Sequence, residues 1–138
     1  SSYPERCLLS LERRTLPSET PESVEAEILQ IVRDLQRSDP AFHALVRRGI
    51  DRSPLETRED EDIVQSLQAA SAEVLKRPLQ ISGVQFWTDA ALLSAAGIPS
   101  VLFGPSGSGA HAIEEWVDLA SVKTCAEIYL ATAIRFCG

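Results

Sequence analysis

The sequence predicts an α/β fold in which helices cover a parallel sheet. From residue 57 onward, helix-like and strand-like segments follow the order α-β-α-β-α, which is typical of such a sheet. The chain has 138 residues, 44% of them hydrophobic, so a domain of this length can bury a real core. A charged, proline-containing stretch at 51–62 borders this region and is the best candidate for a domain boundary.

The first predicted domain comprises residues 1–56. Three apolar residues alternate along a predicted strand with one buried face: Cys7, Leu9 and Leu11. Thr20 can cap a helix whose first position is Pro21, and apolar residues then repeat with helical spacing to about Arg37. The segment 41–50 is ambiguous on periodicity alone.

The second predicted domain comprises residues 57–138. Its first helix has one apolar face, formed by Ile63, Val64, Leu67, Ala70, Val74 and Leu75. The later segments are predicted as a short strand at 78–84, a helix at 88–96, a buried strand at 98–104 and a long closing helix at 114–136.

Charge and hydropathy exclude two classes of partner. The formal net charge is −7, and no basic stripe with interleaved aromatic residues occurs, so binding to a phosphate backbone lacks its main driving force. The apolar runs are far shorter than the ~20 residues that a membrane span needs. We therefore expect neither a nucleic acid nor a membrane as partner.

The three cysteines are Cys7, Cys125 and Cys137. Their odd number, wide spacing and lack of a CxxC pair argue against a disulfide framework and against a cysteine-based zinc site. A reduced, cytoplasmic setting is the simpler interpretation.

The run from Phe86 to Val117 contains the strongest functional signal. An apolar strand leads into a Gly/Ser loop, and the loop presents a single histidine, His111, followed four residues later by Glu115. Parallel-sheet enzymes place their sites just after strands, small residues leave room for a ligand, and Glu115 would lie one helical turn on, able to orient the ring. The other histidine, His43, lies among core-like residues and is interpreted as structural.

Three other interpretations of the loop at 104–112 are less well supported. A phosphate-binding loop needs Lys and Ser/Thr where Ala110 and His111 stand. A dinucleotide fingerprint needs a second strand, and too little chain follows for one, which makes a nucleotide-binding domain a remote alternative. A nucleophile elbow at Ser106 lacks its closing glycine, and His111 is the only histidine after it.

A lone histidine is more often a hydrogen-bonding residue than a metal ligand. One imidazole cannot hold a catalytic zinc ion, which needs about three protein ligands and an open position. Either His111 is not a ligand, or its co-ligands lie on chain that is not present here.

Two stretches carry a family resemblance: "YPERCLLSLERRTLPSETPE" at 3–22 and "TDAALLSAAGIPSVLFGPSGSGAHAIEEWV" at 88–117. They resemble the C-terminal part of the zinc-dependent metallopeptidases that include acetylornithine deacetylase, succinyl-diaminopimelate desuccinylase, aminoacylase and the glutamate carboxypeptidases. The resemblance covers nearly the whole chain. The chain departs from the family pattern in reading Gly-Pro-Ser for Gly-Pro-Gly at 104–106 and in placing Trp87 where many relatives have a small hydroxyl residue.

The resemblance implies two parts of a larger fold. Residues 57–138 would be the C-terminal part of a doubly wound, mostly parallel-sheet zinc-exopeptidase domain. Residues 1–56 would be the second half of an α+β (βαββαβ) lid domain that mediates homodimerisation, which favours a strand at 41–50. The remaining metal ligands, the catalytic glutamate and the first half of the lid are expected upstream.

The resemblance also implies roles for individual residues. The histidine of the family's metal-binding motif maps onto His111, and the glutamate of the same motif maps onto Glu115. The lid arginine that holds the substrate carboxylate maps onto Arg14, with Arg13 as the alternative. Gly104 would line the substrate site, with Thr88 in a supporting position.

The implied activity is metal-dependent hydrolysis of an amide bond in N-acyl amino acids or small peptides. Two Zn²⁺ ions, or cobalt, would activate a water molecule in the intact site. The chain by itself would be inactive because its general base and most metal ligands are expected upstream. The alternative of another class is a non-catalytic interaction or assembly module, since unpaired strand edges favour pairing with another chain.

Overall fold

The computed structural model describes residue 2 and residues 4–138. The chain divides into two compact units, Ser1–Pro54 and Leu55–Gly138.

Helix α1 of the first unit spans Pro21–Ser38, as the capping pattern predicts. Thr20 accepts a hydrogen bond from the backbone N–H of Ser23, and Ser23 accepts one from the backbone N–H of Thr20, which forms a capping box. Pro21 costs no hydrogen bond at the first helical position. The helix therefore begins where its local sequence sets the cap.

Two arginines connect α1 to the flanking segments by ion pairs. Arg13 pairs with Glu19 and Glu27, and Arg48 pairs with Glu22 at 2.8 Å between Nη1 and Oε1. None of the described residues up to Pro54 is buried. These surface ion pairs connect described parts of this unit, which has no fully buried residue among those described.

The strands predicted in the first unit are not formed. Residues 7–11 and 41–50 have no strand assignment, Leu9 remains 77% exposed and Leu11 62% exposed. His43 is exposed as well, so the expectation that it lies among core residues was wrong. A strand requires a hydrogen-bonded neighbour, and none pairs with these segments among the described residues.

Three helices build the second unit: α2 at Asp62–Leu75, α3 at Ala90–Ala95 and α4 at Leu119–Cys137. Helix α2 packs against α4. The buried residues of the described chain all lie on these helices: Val64, Ala70, Ser71, Ala91, Cys125, Ile128 and Thr132. Ile128, at 1% exposed, is the largest fully buried side chain. The core therefore lies mainly at the contact between α2 and α4.

The segment at 98–104 differs from its predicted buried strand. It has no strand assignment, and Ile98 remains 54% exposed. It contacts α4 through Phe103, whose ring meets that of Tyr129 edge-on at 5.7 Å between centroids. Tyr129 Oη also donates a hydrogen bond to the carbonyl oxygen of Phe103. The strand predicted at 78–84 is likewise not formed.

A short hairpin occupies part of the range predicted as the closing helix. Strand β1, Gly107–Ser108, pairs antiparallel with strand β2, Trp116–Val117, and they are the two strands of the described chain. Helix α4 begins at Leu119 rather than at 114, because Asp118 caps it by accepting from the N–H groups of Ala120 and Ser121. The predicted parallel sheet is not formed among the described residues.

None of the described helices is both long enough and apolar enough to cross a bilayer.

An ion pair between α2 and α4 predicts a pH dependence of stability. Arg135 donates a hydrogen bond to Glu73, which holds the pKa of Glu73 below its ordinary value of 4.5. Because this pKa is lower in the folded state, the pair stabilises the fold above pH 4.5, and the stabilisation is lost as the pH falls through the lowered pKa. Arg135→Gln should therefore lower the Tm slightly near neutral pH and leave it unchanged in strong acid.

Thermal unfolding of both proteins across this pH range checks the expectation. Arg37→Gln is the matched control, because Arg37 forms an exposed ion pair with Asp34 inside α1 and links no helices. An equal Tm difference at every pH would contradict the assignment to Glu73. The effect is small because both partners are exposed to solvent.

Candidate metal-binding hairpin

The hairpin places His111 in the connection between its two strands. Gly107 pairs with Val117 and Ser108 with Trp116, so residues 109–115 form the connecting loop. Within this loop the N–H of Ala112 donates to the carbonyl oxygen of Gly109 at 2.7 Å. His111 lies inside this turn and is exposed to solvent.

Two glycines allow the close approach of the two sides of the hairpin. A Cβ added to Gly107 would overlap the carbonyl oxygen of Trp116, and one added to Gly109 would overlap that of Glu114. Gly109 also has a φ of 80°, a left-handed conformation that glycine adopts without steric cost. The loop can take this shape only with glycine at both positions.

His111 itself has a left-handed backbone, with a φ of 65°. A non-glycine residue in this region is strained by about 1–3 kcal/mol, and such residues cluster at functional sites. His111 is thus an exposed residue on a strained turn of the hairpin. This geometry is compatible with a ligand or a metal ion reaching the ring.

Glu115 does not lie one helical turn after His111, as the sequence had predicted. It is an exposed residue of the loop before β2, and α4 begins only at Leu119. The prediction failed because the chain first forms β2, and the Asp118 cap then starts the helix. Glu115 still belongs to the same hairpin as His111.

The base of the hairpin is joined to α4 by hydrogen bonds. The N–H of Asp118 donates to the carbonyl oxygen of Ser106 at 2.9 Å, and the N–H of Ser106 donates to Ser121 Oγ at 2.9 Å. Sequence reasoning missed both Ser106 and Ser121 as contributors. The Asp-x-x-Ser pattern at 118–121 is the signal that could have located this helix cap.

Gly104 and Thr88 lie in the same unit as the hairpin. Gly104 is exposed, and a Cβ added there would meet nothing within 4 Å. Thr88 precedes α3, and its Oγ1 atom is buried with no hydrogen-bond partner among the described residues. Neither observation assigns a substrate contact.

The two candidate arginines lie in the other unit. Arg13 is paired with Glu19 and Glu27, whereas Arg14 keeps 66% of its side chain exposed and pairs with Glu12 at 2.6 Å between Nε and Oε1. The hairpin and these arginines are therefore contributed by different compact units of the chain.

The described residues do not by themselves fit a complete metal centre. They contain no group of three His, Cys, Asp or Glu side chains that could hold an ion together. His111 offers one imidazole donor, whereas a catalytic zinc ion needs about three protein ligands. The cysteines are free and contribute no thiolate cluster.

Comparison with known proteins identifies the family. The family model of peptidase family M20/M25/M40 matches residues 19–135. An acetylornithine deacetylase of Myxococcus xanthus is 29% identical over 136 residues, which is 98% of this chain and 34% of that enzyme. The chain thus spans about a third of the length of this curated relative. The match confirms the resemblance found in the sequence and indicates an α/β peptidase fold: the chain belongs to peptidase family M20/M25/M40.

Proposed function

We propose that this chain is the C-terminal third of a metal-dependent hydrolase that cleaves an amide bond in N-acyl amino acids or small peptides. The family match over residues 19–135 supports hydrolysis, and the similarity to an acetylornithine deacetylase supports an acylated amino acid as the class of substrate. The proposal includes a cytoplasmic location and a substrate that is a small molecule.

The observation that carries this proposal is the exposed His111 on its glycine-dependent loop. The imidazole is the one histidine side chain of the second unit, and the loop holds it in a strained conformation at the surface. The sequence resemblance to this family implies a role for this histidine as a metal ligand. The geometry supports that role because an exposed ring can be reached by an ion and by the substrate.

A metal centre here needs donors that the described residues do not supply. His111 would provide one ligand, and the others would come from the remaining two thirds of the enzyme. When bound, two zinc or cobalt ions would supply an activated water and polarise the scissile carbonyl. The chain on its own is therefore proposed to be inactive.

We assign Arg14 rather than Arg13 to the substrate carboxylate. The pKa of Glu19 lies below its ordinary value because the N–H of Leu16 and the Arg13 guanidinium donate to its carboxylate. The guanidinium of Arg13 is thus already paired with two carboxylates of its own unit, those of Glu19 and Glu27. Arg14 is more exposed and has a partner only in neighbouring Glu12 among the described residues, so its guanidinium can exchange that partner for a substrate.

Substitution of Arg14 in the whole enzyme tests both the reaction and the role of this residue. Arg14→Ala should lower kcat/KM for N-acetyl amino acids by roughly 10- to 100-fold, because a charge-assisted hydrogen bond contributes about 1.5–3 kcal/mol. Initial rates with a free-carboxylate substrate and with its carboxamide measure the effect. The carboxamide rate should be nearly insensitive to the substitution.

Arg13→Ala is the matched control, since it removes an adjacent guanidinium of the same unit. If Arg13→Ala alone abolishes the preference for a free carboxylate, the two assignments are exchanged. If the wild-type enzyme hydrolyses no N-acyl amino acid, the proposed substrate class is wrong.

The finer architecture is also part of the proposal. Residues 1–56 would form the second half of the lid and contribute to a homodimer, and 57–138 would complete the parallel-sheet catalytic domain. The segments at 78–84 and 98–104, which lack strand partners here, would then pair with strands of the rest of the enzyme.

A second candidate function is a non-catalytic assembly module. Helix α4 favours it, because several of its apolar side chains remain exposed to solvent: Leu119, Val122, Leu130 and Ile134. Light scattering combined with zinc titration separates the two candidates. Tight self-association without zinc binding in the whole protein would favour assembly, whereas zinc binding and turnover would favour the hydrolase.

A further inference from the structure

We infer that Ser121 is a positioning residue for His111, acting through the backbone of Ser106 at the base of the hairpin. Ser121 thereby holds the imidazole in place, and the consequence for metal binding rests on the proposed function.

Ser121 connects three elements through one hydroxyl group. Its Oγ accepts from the N–H of Ser106 at 2.9 Å and donates to the carbonyl oxygen of Asp118 at 2.7 Å. The carbonyl oxygen of Ser106 in turn accepts from the N–H of Asp118 at 2.9 Å. The residue before β1 and the residue after β2 are therefore joined to each other and to the first turn of α4. We call Ser106, Asp118 and Ser121 together the Ser121 latch.

The hairpin depends on this latch because its own pairing is minimal. Its two strands contribute two residue pairs, and an isolated two-stranded hairpin is at best marginally stable in water. Helix α4, in contrast, is anchored by Cys125 and Ile128, which are buried. The latch thus fixes a weak element to a stable one, and His111 lies on the weak element.

Ser121 is the residue of the latch that can be tested most cleanly. Substitution of Asp118 would also remove the cap of α4, since its carboxylate accepts from the N–H groups of Ala120 and Ser121. Ser121→Ala removes only the hydroxyl group, and the alanine that it introduces has a high helix propensity. Ser121→Thr retains the hydroxyl group and should restore the wild-type behaviour.

Amide hydrogen exchange at single-residue resolution in the whole protein is the first measurement. Ser121→Ala should accelerate exchange at the amides of Ser106 and Asp118 by about fivefold or more, since a lost hydrogen bond contributes about 1 kcal/mol. The loop that contains His111 should exchange faster as well. Thr124→Ala is the matched control, because its Oγ1 donates to the carbonyl oxygen of Ala120 within α4.

Release of bound zinc to a chelator, compared with the Tm, is the second measurement. If Ser121 positions His111, Ser121→Ala should release zinc several-fold faster than Thr124→Ala at a similar Tm, and Ser121→Thr should reverse the change. Unchanged exchange in Ser121→Ala overturns the inference. Faster exchange with unchanged zinc release also overturns it, provided that His111→Ala loses zinc.

The two proposals can fail separately. If His111→Ala retains zinc, the proposed metal role of His111 fails. The exchange of the loop at 109–115 in Ser121→Ala then decides the positioning inference alone: faster exchange supports it and unchanged exchange overturns it.

Discussion

Replacement of His111 by alanine in the whole enzyme is expected to weaken metal binding by more than about 100-fold, because loss of an outer partner of a metal ligand already weakens it by 10- to 100-fold. An alanine at this position has the same left-handed backbone, with a φ of 65°, so the substitution does not relieve the backbone strain. It removes only the donor atom of the side chain. Metal content after dialysis against a chelator of known affinity measures the loss. Turnover of an N-acyl amino acid should fall in parallel.

His43→Ala is the matched control for this experiment. The chain has two histidines, and His43 is the other exposed imidazole, located in the first unit. It should retain full metal content and activity. A His111→Ala enzyme with wild-type zinc content would remove His111 from the metal site, and loss of metal in both variants would indicate a general effect on folding.

The helices could be predicted because their signals are local. Thr20 and Pro21 fix the start of α1 within one turn, and the apolar spacing of α2 requires only that its own face be buried. Helix α3 is shorter than predicted but ends near Gly97, which has a φ of 82°. These interactions depend on residues a few positions apart.

The strands could not be confirmed because sheet formation depends on distant partners. Segments such as 98–104 have a suitable apolar pattern, yet no neighbouring strand pairs with them among the described residues. The spacing of apolar residues indicates which face of a segment could be buried, but it does not indicate which other segment would pack on that face. In the proposed catalytic domain, strands from the rest of the enzyme would provide the missing partners.

The candidate site was only partly predictable for a related reason. The residue pattern identified His111, but helical periodicity extended α4 backward through Glu115 and concealed the hairpin. The conformation of the loop is set by contacts between backbone atoms that are eight to ten residues apart, such as Gly107 with Val117. A period-based analysis does not detect such contacts, although the glycines at 107 and 109 are a visible trace of them.

Substitution of Gly109 by alanine tests whether the site depends on this backbone geometry. The left-handed φ of 80° would cost a non-glycine residue about 1–2 kcal/mol. The added Cβ would also overlap the carbonyl oxygen of Glu114, which is backbone and cannot move away as a flexible side chain can. We expect the loop to open or rearrange, with loss of metal binding comparable to that of His111→Ala.

Two other glycines separate the causes of this effect. Gly97 has a similar φ of 82° with nothing within 4 Å of an added Cβ, so Gly97→Ala measures the conformational cost alone. Gly104 has open space and no positive φ, so Gly104→Ala should leave folding unchanged. Metal content and the free energy of unfolding should be measured for all three variants.

The order of effects then identifies the physical origin. If the steric overlap dominates, Gly109→Ala should be destabilised more than Gly97→Ala, and only Gly109→Ala should lose metal. Equal destabilisation of the two variants would mean that backbone conformation alone accounts for the cost. A Gly109→Ala enzyme with wild-type metal content would show that His111 can be presented by another loop conformation, and the close backbone approach would then not be required for the site.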